Sequence, residues 1–124
     1  MNKINLLFVL LLIAFISACN SDKKIIIGNG NDVIVTMDVI DKKGIEKIEF
    51  QTELNIEVVT SNDLKRHNKI QYRFNSGAEG TYSVCVYSIK DTICRTEYIE
   101  NGYRPNLKCD SKEIKSLDQT DILY

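Results

Sequence analysis

The chain contains no tryptophan, a single histidine (His67) and a single proline (Pro105) in 124 residues. One histidine excludes zinc sites built on two imidazoles, and the absence of a Cys-x-x-Cys pair removes the thiolate alternative. A Ser-His-Asp triad would have to recruit His67 from the polar stretch "LKRHNK", and no Gly-x-Ser-x-Gly turn is present to offer the serine. Charge of one sign is missing too. Lys and Arg number 16 against 17 Asp and Glu, so no overall field draws the protein to nucleic acid. Repeats and low-complexity tracts are absent, and the size suits one domain. Carboxylates are plentiful, but Glu46, Glu49, Glu53 and Glu57 lie in or beside alternating segments, where solvent-facing charge is the ordinary state. A glycosidase pair would need a cleft to raise one acid's pKa, which a small sandwich offers poorly. The expectation is a protein without catalytic residues or cofactor.

What is present begins at the amino terminus. Met1-Asn2-Lys3 carries one positive charge, and Leu6 to Ile16 then runs without a polar residue. That is about half of the roughly 20 apolar residues a bilayer-spanning helix needs, so a removable secretory signal is the better reading. Ile16-Ser17-Ala18-Cys19 closes the run with an aliphatic residue, two small ones and a cysteine.

This layout resembles the bacterial lipobox. The resemblance implies that residues 1–18 are a signal peptide removed on maturation and that Cys19 becomes the first residue, its thiol alkylated by diacylglycerol. An ordinary cysteine behind a conventional signal is the alternative. The partner implied for Cys19 is membrane lipid, because acyl chains hold a protein on a bilayer. Asn20, standing where an Asp would retain the lipoprotein at the inner membrane, leans towards the outer membrane if the cell is Gram-negative. Residues 19–24, "CNSDKK", form a polar tether reaching on the order of 20 Å.

Beyond the tether the pattern has period two. Val33, Val35, Met37 and Val39 alternate with polar Thr36 and Asp38. Ile48 and Phe50, then Leu54, Ile56 and Val58, then Ile70, Tyr72 and Phe74 repeat the pattern. Turn formers separate them, at Gly28–Asn31, Asp41–Gly44, Ser61–Asp63 and Asn75–Gly80. Short strands at this spacing predict an all-β antiparallel sandwich over residues 25–109. Residues 110–124 form a tail in which Ile114, Leu117 and Ile122 have loose helical spacing, enough for a short helical turn.

The segment "EGTYSVCV" adds topology. Gly80, Tyr82 and Val84 resemble the start of strand F in immunoglobulin-like and fibronectin-like sandwiches, where a tyrosine hydroxyl bonds back to the preceding corner. The resemblance implies about seven strands and a corner role for Tyr82. Ala78 and Val84 depart from the antibody pattern, which carries Asp and a disulfide cysteine at these places.

Three cysteines follow Cys19. A four-residue loop from Ser88 to Asp91 sets Cys85 opposite Cys94 for a disulfide, but puts Arg95 and Glu97 on the face of Val84. A three-residue loop instead aims Cys94 inward against Val86. In the disulfide reading Cys109 is left as an alkylatable thiol. The glycines of "IIGNGNDVIV" spell one copy of a calcium-binding repeat core, but such sites need stacked copies, and a turn is the simpler role. Tyr87, Tyr98, Tyr103 and Tyr124 have no core assignment, and the first three are candidates for a binding surface. The expected function is a non-enzymatic, lipid-anchored envelope protein binding another protein or a glycan. An immunity or inhibitor lipoprotein acting against a toxin or lytic enzyme is the alternative.

Overall fold

A computed structural model describes residues 23–117, with Lys3 and Asn5 ahead of them. Cys19 with most of the signal and tether, and Ile122 and Tyr124 of the tail, lie outside the described residues. The strands are β1 (Ile25–Gly28), β2 (Val33–Val39), β3 (Ile45–Gln51), β4 (Ile56–Thr60), β5 (Lys69–Phe74), β6 (Glu79–Ser88), β7 (Thr92–Glu100), β8 (Asn106–Cys109) and β9 (Ile114–Ser116). One short helix, α1 (Ser61–Leu64), lies between β4 and β5.

The strands form two sheets, ordered β1-β5-β2-β8-β9 and β4-β3-β6-β7. This is an all-β sandwich, rich in antiparallel pairs. The second sheet is antiparallel throughout, with β3 and β6 at its centre, and in the first sheet β2 pairs antiparallel with β5. The flanks differ. β1 runs parallel to β5, and β8 runs parallel to β2.

The core follows from alternation. Val33, Val35, Met37 and Val39 of β2 face Ile48 and Phe50 of β3 and Tyr82, Val84 and Val86 of β6, and all are buried. Phe50, Tyr72, Phe74 and Tyr82 form an aromatic chain through the middle, with successive ring centroids 5.1, 5.0 and 6.1 Å apart. Leu64 of α1 is also buried. The helix is held by a reciprocal capping box, in which Thr60 Oγ1 accepts from the Asp63 N–H and the Asp63 carboxylate accepts from the Thr60 N–H.

Three expectations are corrected. Tail residues 114–116 form strand β9, pairing Cys109 with Ile114 and Leu107 with Ser116, so the sheet runs past residue 109 and no helical turn forms there. The Asp110 carboxylate accepts the N–H groups of Lys112 and Glu113, closing a tight turn that doubles the chain back before a helix can start.

The second correction concerns β4. Thr52 to Asn55 is used up by a turn, with the Thr52 N–H donating to the Asn55 carbonyl. Gln51 therefore pairs with Ile56 and Phe50 with Glu57. Cross-strand partners share a face, so Val59 points inward beside Ile48, and Ile56 and Val58 point outward.

The third is Tyr82. Its ring is buried, but the hydroxyl donates to Glu97 Oε2 at 3.0 Å, towards its register partner on β7 rather than to the corner before β6. Tyr82→Phe is expected to cost about 1 kcal/mol, the ordinary value of one such bond, measured as a lower urea midpoint. A midpoint equal to that of the wild type would mean the hydroxyl bond contributes nothing.

Candidate functional site

The outer face of the second sheet can be assembled row by row from its register. Strand pairing aligns Ile56, Gln51, Ser83 and Thr96; then Val58, Glu49, Cys85 and Cys94; then Thr60, Lys47, Tyr87 and Thr92. The sequence alternates on each strand, so one set of residues packs the core and this other set meets solvent.

In the middle row Cys85 and Cys94 are bonded, with Cα atoms 4.1 Å apart. Tyr87 and Thr92 are the last register pair, so four residues, Ser88 to Asp91, connect β6 to β7 beyond it, closed by the Ser88 N–H donating to the Asp91 carbonyl. With that register Arg95 and Glu97 do face inward, and they pair with each other at the rim of the sandwich. On the opposite edge Glu57 faces inward next to Phe50, accepting a bond from Asn55 Nδ2. Both edge strands of this sheet thus carry inward charge at the rim, which disfavours sheet-to-sheet pairing with another chain.

Beside the disulfide lies a polar cluster. Lys47 Nζ is 3.0 Å from Glu49 Oε1 and sits 4.5 Å from the centroid of the Tyr87 ring, while the Tyr87 hydroxyl donates to Glu49 Oε2 at 2.9 Å. The Lys47 ammonium and the Tyr87 hydroxyl hold the Glu49 carboxyl below the usual carboxylate range. Its bond to that carboxylate pushes the Tyr87 phenol above its ordinary value. All three groups are thereby joined to one another by ionic and hydrogen-bonding contacts.

Flanking the cluster on β4 is an apolar stripe. Ile56 and Val58 are 55% and 43% exposed on its outward face, and Leu54, 92% exposed, stands in the turn just before it. Large aliphatic side chains in one stripe on a strand edge differ from scattered exposed leucines, because contiguous apolar surface marks interaction sites. The outer face of the other sheet is mainly polar, with Gln71 bonded to Arg73 and Lys69 paired to Asp38.

The tyrosines of the expected binding surface separate into two groups. Tyr98 and Tyr103 meet edge to face at 6.5 Å. The Tyr98 hydroxyl is within bonding distance of both the Glu79 and the Glu100 carboxylates, which raise its pKa strongly. Tyr87 lies opposite Thr92, six residues from Tyr98 along β7, or about 20 Å. The tyrosines therefore do not form one patch. Alternation in "LNIEVV" pointed to the right side chains on β4 and to the wrong face, so the apolar stripe was missed.

Other candidates take structural roles. Gly28 and Gly30 lie where the β1–β2 turn crosses the end of β5, and Asn75 Oδ1 accepts the Asn31 N–H there. His67 follows α1, half-buried, and the described residues contain no group of three His, Cys, Asp or Glu side chains placed to hold a metal ion. Cys109 is buried against Met37, its Sγ 3.4 Å from Sδ, and burial pushes its thiol pKa up to about 12. Cys109 is the free thiol that the disulfide reading leaves over, and in the folded state it is a buried one. Iodoacetamide should label it only after denaturation, since the thiolate is the nucleophile and this thiol has neither charge nor access. Labelling of native protein at the rate of the unfolded chain would contradict its buried placement.

No protein-family model, curated protein or solved structure matches the chain.

Proposed function

We propose that the protein is a non-enzymatic, lipid-anchored module of the bacterial cell envelope that binds a protein partner through the outer face of β4-β3-β6-β7. The Ile16-Ser17-Ala18-Cys19 sequence supports the anchor. The observation that carries the binding role is the outward pair Ile56 and Val58, with exposed Leu54 in the turn before them, beside the Lys47-Glu49-Tyr87 cluster. An apolar centre rimmed by oriented polar groups is the usual anatomy of a protein interface. The stripe is aliphatic, and that favours a protein over a glycan, whose sugar rings stack on aromatic side chains. The disulfide across the row of Val58 and Glu49 stiffens the face, so little side-chain and backbone freedom is lost on docking.

The test compares the wild-type chain with an Ile56→Lys, Val58→Lys double variant in affinity capture from crosslinked envelopes. Both side chains are exposed, so the variant should keep the wild-type urea midpoint and lose the captured partner. Identical capture by a folded variant would remove the binding role from this face.

A further inference from the structure

The two ends of the sandwich differ in charge. β1 is parallel to β5 and begins opposite Ile70, so the chain enters at the end where β2 finishes and β3 starts. The α1 segment, the β6–β7 loop and the β8–β9 loop lie at this same end, as strand direction requires.

Eight cations project there. Lys23 and Lys24 precede β1, and Lys42 and Lys43 lie in the β2–β3 loop. Lys65 and Arg66 follow α1, while Lys90 and Lys112 stand at the tips of two hairpins. None of the eight forms an ion pair among the described residues.

Five carboxylates share these loops, and each is folded into local structure. Asp41 accepts the Lys43 N–H, Asp63 caps α1, Asp91 accepts the Thr92 N–H, Asp110 closes its turn and Glu113 pairs with Lys115. The acids are held by local bonds, and of the eight cationic residues all but half-buried Lys42 are exposed. At the opposite end the loops carry one cation, Arg104, whose guanidinium is spent on the carbonyls of Asn31, Asp32 and Tyr103.

Two aliphatic side chains stand among the lysines, Ile89 at 76% and Ile40 at 60% exposure. An open hollow of about 590 Å³ separates the loops, lined by Lys43, Lys90 and Lys112 together with Asp41, Asp91 and Ile89. Cations around protruding aliphatic groups suit a lipid headgroup layer, where the ammonium groups meet phosphates and the apolar tips enter between them.

We infer that this basic end is a docking surface for an anionic phospholipid bilayer. The orientation rests on the anchor proposed above: a tether of six residues from Cys19 reaches only about 20 Å, which holds this end against the membrane. The contact then fixes the domain upright and turns the opposite end away from the bilayer.

The test uses vesicles and the unlipidated chain beginning at Asn20. Among the described residues every buried core side chain lies between Val33 and Cys109, and this chain keeps all of them. It should sediment with phosphatidylglycerol-containing vesicles and not with phosphatidylcholine vesicles, and high salt should release it. Lys43→Gln, Lys90→Gln and Lys112→Gln together should lower the partition by about tenfold or more, with the circular dichroism spectrum unchanged. Equal binding to both vesicle types, no binding to either, or binding indifferent to the three substitutions overturns the inference. Cys19 is absent from this chain, so the result is independent of lipidation, whose own failure would appear only in the labelling of the full chain.

Discussion

Cys19→Ala is expected to abolish lipid labelling completely and to leave the unprocessed precursor. In the anchor proposed above the Cys19 thiol accepts the diacylglyceryl group, and in the family that Ile16-Ser17-Ala18-Cys19 resembles, lipid transfer precedes cleavage. Without the sulfur nucleophile neither step proceeds, so the effect is all or none. Serine at the same position keeps the size and changes the nucleophile, and it should fail equally. Labelling with a radioactive or alkyne fatty acid and the mobility of the protein on a gel read both steps. A mutant that is labelled and shortened normally would place the anchor elsewhere. Buried Cys109 and the bonded Cys85 and Cys94 are not substitute acceptors in the folded domain.

Gly28→Ala should be the most damaging single-methyl change in the described residues, at about 3 kcal/mol or more. Gly28 has φ of 79°, where an L side chain is strained by roughly 1 to 2 kcal/mol. A Cβ there would also lie 2.1 Å from the carbonyl oxygen of Arg73, the register partner of Gly28 on β5. The backbone of β5 cannot yield without moving Tyr72 and Phe74, which sit in the aromatic chain of the core. Gly44→Ala separates the two causes. Gly44 has φ of 81° and nothing within 4 Å of the added carbon, so it should cost only about 1 to 2 kcal/mol. Urea midpoints of both variants test the difference, and equal losses would mean that the approach of β1 to β5 is looser than the structure has it.

These two glycines also illustrate how far the sequence could be read. The spacing of glycines in "IIGNGNDVIV" marked a turn, but the reason for Gly28 is a carbonyl 45 positions away in the chain, and no local pattern contains that contact. β2 and β6 were legible because every second residue is apolar and both strands lie inside their sheets, so one face had to be core. β4 carries two apolar sets, Ile56 with Val58 and Val59 alone, and the choice between them fell to the four-residue turn before it. Alternation favoured the larger set, and geometry selected the smaller one.

β7 poses the same problem from the polar side. Inward Arg95 and Glu97 argued against the register that joins Cys85 to Cys94, yet the edge position lets the pair sit at the rim, partly solvated and bonded to each other and to Tyr82. A penalty that would decide the register of a central strand is small at an edge. The β9 strand was illegible for a different reason: its three residues are too few for a period to be read, and its place comes from pairing with β8.

The binding surface is the central claim, and it is tested most directly by photocrosslinking in intact cells. A photoreactive amino acid placed at Val58 or at Ile56 should give a discrete protein adduct, because both side chains leave the sheet on the proposed face. The same probe at Ile26, an equally exposed aliphatic position on the other sheet, should give none. Adducts from Ile26 with none from Val58 and Ile56 would contradict the assignment of the partner to the β4-β3-β6-β7 face.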